Sequence, residues 1–262
     1  MPANSFTTLS YSVNDGIAHI IFDKPPLNLI DEELTLEYHA ALRQAESDGT
    51  AKVIVVSGKG KGLSGGLDIK FVESFEQSEM KDFLRLFYVE TLAICRNLSK
   101  PMITMVHGFA REGACTLAFA GDLVIAADNS DFGYPAVPNL AGPPGMHVWF
   151  LQRLIGRMKA AELIFTGEPI SATEAANLGL ITRVVPAEQL ETATRTLALK
   201  IASMSPLALK RTKKLLYEFD DMNFDQVPEL ALEALSSAFN SDDSKEARKA
   251  FREKRKPKWT GK

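Results

Sequence analysis

The sequence predicts an α/β protein with mostly parallel strands and a helical C-terminal part. Three apolar runs typical of buried strands, at 52–57, 102–106 and 123–127, are separated by stretches of helical periodicity. Beyond Pro143-Pro144 the apolar spacing is helical almost to the end of the chain. Strands that alternate with helices pair in parallel, so we expect one parallel sheet followed by a group of helices.

Composition places the chain among ordinary globular proteins. It has 262 residues, 45% of them hydrophobic, with 30 Lys and Arg against 33 Asp and Glu. This excludes the disordered, collagen-like and disulfide-rich miniprotein classes. The charge is uneven, because residues 245–262 hold nine Lys or Arg and two Glu whereas the rest of the chain is acidic. A basic tail on an acidic body indicates a localised anionic partner rather than a surface built for nucleic acid.

The cysteines and the N-terminus predict the cellular compartment. Cys95 and Cys115 lie in apolar helical patterns without a second pair, so we expect buried thiols in a reducing compartment. Residues 1–10 show neither the basic nor the apolar region of a secretory signal, and the uncharged run 132–152 is broken by Pro and Gly. We therefore expect a soluble cytoplasmic protein with no metal site and no membrane partner.

The first half of the chain carries clear local signals. Alternating residues at 7–12 and 17–22 around Asn14-Asp15-Gly16 predict a hairpin. Asp31 is placed to cap a helix with apolar positions at Leu34, Tyr38, Ala41 and Leu42. The remaining predicted elements are a strand at 52–57, a Gly-rich segment at 58–66, helical sequence to about 98, a strand at 102–106, a helix at about 113–120 and a strand at 123–127.

The second half predicts helices and one short strand. A helix is expected at 146–155, another after the capping box Ser171-Ala-Thr-Glu174, and a strand at 181–185. Strands are concentrated in the first two-thirds of the sequence, and no Pro- or Ser-rich linker divides it. We expect one continuous domain, with a core over 1–200 and a helical C-terminal extension over 201–262.

The Gly-rich segment by itself admits several interpretations. Gly60-x-Gly62-x-x-Gly65 follows a strand, as a dinucleotide-binding turn would, although a hairpin and a helix precede it. Gly62-x-Ser64-x-Gly66 matches a serine hydrolase nucleophile, with Asp122 and His147 downstream in the required order. The simplest alternative is a turn in which the Ser64 hydroxyl bonds nearby backbone.

Three separated segments, taken together, resemble the crotonase, or enoyl-CoA hydratase/isomerase, superfamily. They are SGGLDIK at 64–70, VHGFAREGACTLAFAGDLVIAAD at 106–128 and FGYPAVPNLAGPPG at 132–145, and the resemblance continues through LGLITRVVP at 178–186 and FREKRKP at 251–257. The resemblance implies a crotonase-like spiral of ββα units over 1–200, followed by a helical trimerisation region. It also implies a homotrimer or a dimer of trimers that processes acyl-CoA thioesters.

The resemblance assigns chemistry to particular positions. The backbone N–H groups of Leu67 and Gly113 are expected to stabilise an enolate-like oxyanion on the thioester. Coenzyme A belongs to the substrate, and no other cofactor is expected. The positions assigned to substrate binding are Lys24, Leu27, Gly65, Gly66, Asp68, Ile69, Lys70, Thr116, Ala136, Asn139, Lys254 and Lys258.

Two departures from the family pattern direct attention to other residues. Thr116 and Ala136 stand where hydratases of the family carry two glutamates, so ordinary hydration by that carboxylate pair is not expected. Glu112 stands where the family usually has Gly, and is either the replacement base or a solvated loop residue. Tyr134 is a second candidate, with core and loop roles as the alternative. His107 is expected to be a structural histidine. Leu67 should narrow the entrance for the acyl group and so disfavour substrates with bulky α-substituents.

We therefore expect an enolate-forming acyl-CoA enzyme of the hydratase/isomerase type. Isomerisation, decarboxylation and thioester hydrolysis are alternative reactions. A catalytically silent acyl-CoA-binding protein and the Ser64 hydrolase are alternatives from other classes.

Overall fold

A computed structural model describes residues 6–262, which form two sheets and a set of helices. Residues 1–5 lie outside the described residues. They are the first half of the region 1–10 in which the sequence predicted no secretory signal. The strands are β1 (Leu9–Asn14), β2 (Ile17–Phe22), β3 (Val53–Gly58), β4 (Met102–Val106), β5 (Phe109–Arg111), β6 (Leu123–Ala127), β7 (Asp131–Gly133), β8 (Ile170–Ser171) and β9 (Arg183–Val185).

The larger sheet confirms the predicted parallel arrangement. Its order is β1-β2-β3-β4-β6-β9, and every neighbouring pair is parallel except the antiparallel hairpin β1–β2. The hairpin turns at Asp15 and Gly16, with φ angles of +53° and +78°. Two successive left-handed residues are what a type I′ turn requires, which explains the Asp-Gly sequence there.

A second sheet, of strands β5-β7-β8, was not predicted from the sequence. It pairs β5 with β7 in parallel and β7 with β8 antiparallel. Each of these strands has two or three residues, too few for alternation to be recognised. This small sheet holds the segment 109–111 directly before the helix that begins at Gly113.

The helices confirm most predicted positions, but one long predicted stretch is interrupted. Sequence between the Gly-rich segment and residue 98 forms three short helices and a π-helical turn, Arg85–Glu90. The helices are α1 (Glu32–Ser47), α2 (Ile69–Val72), α3 (Gln77–Leu84), α4 (Thr91–Asn97), α5 (Gly113–Phe119), α6 (Ala136–Leu140), α7 (His147–Ile155), α8 (Arg157–Thr166), α9 (Ala172–Asn177), α10 (Leu190–Ala202), α11 (Pro206–Asp220), α12 (Val227–Phe239) and α13 (Asp242–Arg252).

The predicted helix caps are present. The Asp31 side chain accepts from the Leu34 N–H at the start of α1, and the Ser171 hydroxyl accepts from the Glu174 N–H at the start of α9. A capping side chain satisfies a backbone N–H that the helix itself leaves unpaired. These two helices therefore begin where local chemistry specifies.

The main core lies between the larger sheet and the helices on one of its faces. Ile54 and Val56 of β3 point into this core, whereas Val53 and Val55 pack on the other face with α10. Alternate residues of a strand face opposite sides, so this strand is buried on both. Among the described residues, each helix is too short or too polar to cross a membrane. The boundary near residue 200 stays a prediction; it falls within α10, which ends at Ala202.

Candidate active site

A pocket of about 450 Å³ lies where the Gly-rich segment, the start of α5 and the π-helical turn meet. Its wall is mostly apolar. It is lined by Ile30, Gly65, Leu67, Ile69, Met80, Leu84, Phe87, Tyr88, Arg111, Glu112, Gly113, Pro135, Ala136, Asn139, Leu140, Gly142, Pro143, Pro144 and Gly145. Three of the residues predicted to be catalytic, Leu67, Glu112 and Gly113, therefore share one cavity.

Close backbone packing brings the Gly-rich segment to this cavity. The Leu63 N–H donates to the Phe109 carbonyl at 3.0 Å, and Ser64 forms a parallel bridge with Ala110. At Gly66, where φ is +92°, a Cβ atom would lie 2.8 Å from the Arg111 carbonyl oxygen. Only glycine permits that approach, and it places Leu67 near the start of α5.

Asn28 fixes the other side of the Gly-rich segment, and the sequence analysis missed it. Its buried side-chain amide donates to the carbonyls of Lys59, Gly62 and Leu63 at 2.9–3.2 Å. Its own backbone has φ +52°, a conformation that asparagine tolerates better than most residues. An Asn two residues after Pro-Pro is a turn signal in the sequence, but the carbonyls that its side chain binds lie more than 30 residues away.

Two backbone amides on the pocket wall have no hydrogen-bond partner in the part of the chain that the structure describes. Within residues 6–262, neither the Leu67 N–H nor the Gly113 N–H donates to a protein acceptor. Gly113 begins α5, so its N–H has no acceptor inside the helix, and it lies at the positive end of the helix dipole. A Cβ atom on Gly113 would lie 3.0 Å from both Ile30 and Phe87, so the wall closes tightly around this amide.

Glu112 lies on the wall of the pocket, as one of its two sequence-based alternatives required. Its carboxylate accepts a hydrogen bond from the Ala136 N–H. Burial raises its pKa from the ordinary 4.5 to about 7, and the hydrogen bond from Ala136 opposes that rise only in part. A carboxyl group with such a pKa exchanges protons readily near neutral pH.

The backbone of Glu112 is also strained. Its φ and ψ are +44° and −110°, a region in which a residue with a side chain costs of order 1–3 kcal/mol. Glycine would adopt this conformation without that cost, yet the chain carries a glutamate here. Strain retained at a pocket wall is typical of functional positions.

Thr116 and Ala136, the two positions that the resemblance assigned to glutamates, lie in different surroundings. Ala136 lines the pocket and donates its N–H to Glu112, so it contributes to the site through its backbone. Thr116 is buried behind the wall, where its Oγ1 lies 2.9 Å from Nε2 of the buried His147. Burial lowers the pKa of His147 to about 3, so this imidazole is neutral.

The other candidate polar residues are dispersed. Tyr134 is fully buried behind the wall, with its ring 4.8 Å from that of His147, and its hydroxyl has no partner within the described residues. Asn139 lines the pocket. His107 is half-buried and bonded to the Gly60 carbonyl at 2.9 Å, away from the cavity wall.

The predicted substrate-binding residues divide into two groups. Gly65, Ile69, Ala136 and Asn139 line the cavity. Outside its lining are Leu27, Gly66, Asp68, Thr116 and the four lysines, Lys24, Lys70, Lys254 and Lys258. Lys24 pairs with Asp31. Asp68 caps α2 by accepting from the Lys70 N–H at 3.0 Å, so its carboxylate already has a structural role.

The serine hydrolase interpretation is wrong. The Ser64 hydroxyl is buried and accepts from the Gly66 N–H at 3.1 Å, which is the turn role that the sequence also allowed. Asp122 is bound by Lys213 at 2.8 Å and Tyr217 at 2.9 Å, and His147 is bound to Thr116. No two members of the expected triad are paired.

The dinucleotide interpretation is also wrong. The Gly-rich segment leads to α2, a helix of four residues whose first turn is capped by the Asp68 side chain. A dinucleotide-binding turn instead leaves the N-terminus of a long helix free for the pyrophosphate.

Known proteins match this chain over nearly its whole length. Residues 12–262 match the family model described as enoyl-CoA hydratase/isomerase. A Bacillus subtilis protein named "Probable enoyl-CoA hydratase" is 34% identical over 97% of this chain and 98% of its own length. A crotonyl-CoA hydratase from Syntrophomonas wolfei is 31% identical over 95% of this chain and 96% of its own. The crystal structure of enoyl-CoA hydratase from Bacillus anthracis superposes with a TM-score of 0.92, at 28% identity over 98% and 100% of the two chains.

The chain therefore belongs to the enoyl-CoA hydratase/isomerase family and has the crotonase fold. This confirms the resemblance drawn from the three separated motifs. The relatives support an enzyme of the hydratase/isomerase type.

Proposed function

We propose that this protein binds an acyl-CoA thioester, holds its carbonyl oxygen with the Leu67 and Gly113 amides, and moves a proton at the adjacent carbon with Glu112. The observation that carries the proposal is the presence of two unpartnered amides and a carboxylate of raised pKa on one pocket wall. N–H donors aimed at developing negative charge stabilise an enolate without reorganisation.

The proposed chemistry needs one base and no other reactant. Glu112 takes a proton from the carbon next to the thioester carbonyl, and the electron pair of the broken C–H bond moves onto the carbonyl oxygen. The two amides stabilise that oxygen. The protonated Glu112 then returns the proton to the same carbon, which gives exchange, or to a conjugated carbon, which gives isomerisation. Hydration by the usual carboxylate pair has no support here, because Thr116 and Ala136 supply no second carboxylate.

Solvent-deuterium exchange at the α-carbon of butyryl-CoA and other acyl-CoAs tests the proposal. We expect exchange with the wild-type protein and a loss of about 10²–10⁴-fold in Glu112→Gln, the usual contribution of a positioned acid or base. The affinity for the thioester should stay within several-fold, because glutamine keeps the shape and still accepts from the Ala136 N–H. Unchanged exchange in this variant would contradict the role of Glu112.

The oxyanion part of the proposal has its own test. Acetoacetyl-CoA, whose enolate resembles the intermediate, should bind more tightly than free CoA in calorimetry. Equal affinities would contradict the role of the two amides. Binding without exchange of any acyl-CoA would favour the silent acyl-CoA-binding alternative, and release of free CoA would favour thioester hydrolysis.

Assembly, coenzyme A contacts and compartment are further parts of this proposal. Helix α12 buries none of its residues completely, and Leu232, Leu235 and Phe239 are 61%, 71% and 56% exposed, which supports burial against other copies in a trimer or hexamer. Lys24, Lys70, Lys254 and Lys258 are proposed to meet the anionic phosphates outside the pocket. The cytoplasm is the proposed compartment, although three of the relatives are named as mitochondrial proteins. Sedimentation analysis tests the oligomeric state.

A further inference from the structure

A loop beside the pocket supports the segment that carries the Leu67 amide. Residues 24–31 run from the end of β2 to the start of α1, and the ion pair between Lys24 and Asp31 joins the two ends of this loop. Along its length the loop forms backbone hydrogen bonds with residues 65–68. The Leu67 amide therefore depends on the loop 24–31, as well as on β5, for its position.

These backbone bonds determine the direction of the Leu67 N–H. The Ile30 N–H donates to the Gly66 carbonyl at 2.8 Å, and the Ile30 carbonyl accepts from the Asp68 N–H at 2.9 Å. The two bonds make Ile30 and Leu67 a parallel bridge pair. Successive N–H groups of an extended chain point to opposite sides, so the N–H of Leu67 itself points away from the loop. It is thereby left available to the pocket that Leu67 lines.

The loop also borders the second amide of the proposed oxyanion site. The Ile30 side chain is 1% exposed, and its Cδ1 lies 3.0 Å from the point at which a Cβ atom on Gly113 would lie. Ile30 therefore holds Leu67 through its backbone and contacts the Gly113 position through its side chain. The spacing of the two donors depends on where the loop lies.

The Asn28 side chain fixes the loop in place. It is 2% exposed, its carboxamide oxygen accepts from the Lys24 N–H at 2.9 Å, and its nitrogen donates to the three carbonyls of segment 59–63 described above. A Cβ atom on Gly58 would lie 2.9 Å from that nitrogen, so the absence of a side chain there makes room for it. One side chain thus joins the loop to the start of the Gly-rich segment.

Only a neutral amide satisfies both sides of this contact. Its nitrogen faces carbonyl oxygens and its oxygen faces an N–H, so position 28 needs a donor and an acceptor at once. Aspartate keeps the acceptor but directs a carboxylate at carbonyl oxygens. Glycine loses both functions, yet adopts the left-handed backbone of residue 28, φ +52°, without strain. These two replacements remove the donor in different ways.

We propose that Asn28 is a positioning residue that holds the Leu67 amide in the geometry required by the thioester oxygen. This rests on the proposed function, in which the Leu67 and Gly113 amides stabilise that oxygen. Asn28 is outside the pocket lining and acts through the bridge between Ile30 and Leu67. A preorganised donor is effective only when it is aimed at the developing charge, and a misplacement of about 1 Å can cost on the order of 10²-fold in rate.

Infrared difference spectra of bound butyryl-CoA, labelled with carbon-13 at the thioester carbonyl, test this inference. Hydrogen bonds to the carbonyl oxygen lower its stretching frequency, so we expect a lower frequency on the wild-type protein than in solution. In Asn28→Asp and Asn28→Gly the band should move back toward its solution position. The kcat of α-proton exchange should fall by about 10–10²-fold, with KM within several-fold. A merely structural role would reduce the folded fraction and leave the band and the kcat per folded molecule unchanged.

Two further variants serve as comparisons. Asn97→Asp makes the same chemical change at an exposed position on α4, outside the pocket lining, and should keep the wild-type band and rate. Glu112→Gln should lose exchange but keep the wild-type band, because it removes the base and leaves both amides in place. This contrast distinguishes a misplaced donor from a missing base.

The outcomes separate this inference from the proposed function. If the carbonyl band on the wild-type protein coincides with that in solution, the proposed function fails, and the inference fails with it. If the wild-type band is shifted and folded Asn28 variants keep both the shift and the kcat, the inference alone is overturned. Circular dichroism and urea denaturation establish folding, and failure of both Asn28 variants to fold would assign Asn28 to folding and likewise overturn the inference.

Discussion

Replacement of Glu112 by glutamine should make the stability of the protein less dependent on pH. In the folded chain burial raises the pKa of Glu112 from 4.5 to about 7. Between these two values the folded protein holds a proton that the unfolded chain has released. The stability of the wild-type protein should therefore fall as pH rises from about 4.5 through about 7. The variant is neutral at this position throughout and lacks that contribution.

The magnitude follows from the size of the shift. A displacement from 4.5 to about 7, at 1.36 kcal/mol per unit, sets an upper bound of about 3 kcal/mol. Glu112 is only partly buried, and solvent screening reduces the contribution, so we expect about 1–3 kcal/mol. Glu112→Gln should match the wild-type free energy of unfolding near pH 4 and exceed it by this amount at pH 8.5.

Urea denaturation of both proteins at pH 4, 5.5, 7 and 8.5 provides the measurement. Glu188→Gln is the matched control, because Glu188 is exposed outside the pocket and its replacement should leave the pH dependence unchanged. A stability difference between Glu112→Gln and wild type that stays constant across this range would refute the reasoning. It would mean that the Glu112 carboxylate is solvated in the folded protein.

Three other predictions concern the same pocket. The α-proton exchange rate should rise with pH through about 7, because Glu112 must be ionised to accept a proton; a rate that is flat from pH 5 to 9 would contradict this. Crotonyl-CoA hydration, followed by loss of enoyl absorbance, should fall below the ordinary range of about 1–10³ s⁻¹, since Thr116 and Ala136 carry no carboxylate; turnover within that range would disagree. Gly145→Ala should lower the free energy of unfolding by about 1–3 kcal/mol, through left-handed strain and contact with Tyr88; an unchanged urea midpoint would argue against that crowding.

Local physical chemistry made several elements predictable from the sequence. Asp15-Gly16 specifies a tight turn, Asp31 and Ser171 cap helices, and the apolar run of β3 can only be a buried strand or a buried helix segment. These signals operate over a few residues, so no tertiary context is needed to interpret them. The order of the motifs across the chain was likewise sufficient to predict the family.

Long-range packing decided what the sequence left open. The direction of the Glu112 side chain depends on a left-handed backbone and on the N–H of Ala136, 24 residues away. The Ser64 hydroxyl has a turn role because it binds the N–H of Gly66, which packs on the Arg111 backbone. Asp122 forms a salt bridge with Lys213, which is 91 residues away in the sequence.

Tyr88 is a clear case of a pocket residue that no sequence motif indicated. Its segment carries no family pattern, and the predicted feature there was a regular helix. The π-helical turn and the missing Cβ of Gly145 together allow its phenol to lie on the cavity wall. The sequence by itself determined the family and the parallel sheet. Only the tertiary structure decided which side chains share the pocket, because burial, pKa and hydrogen-bond direction arise from contacts between residues distant in the chain.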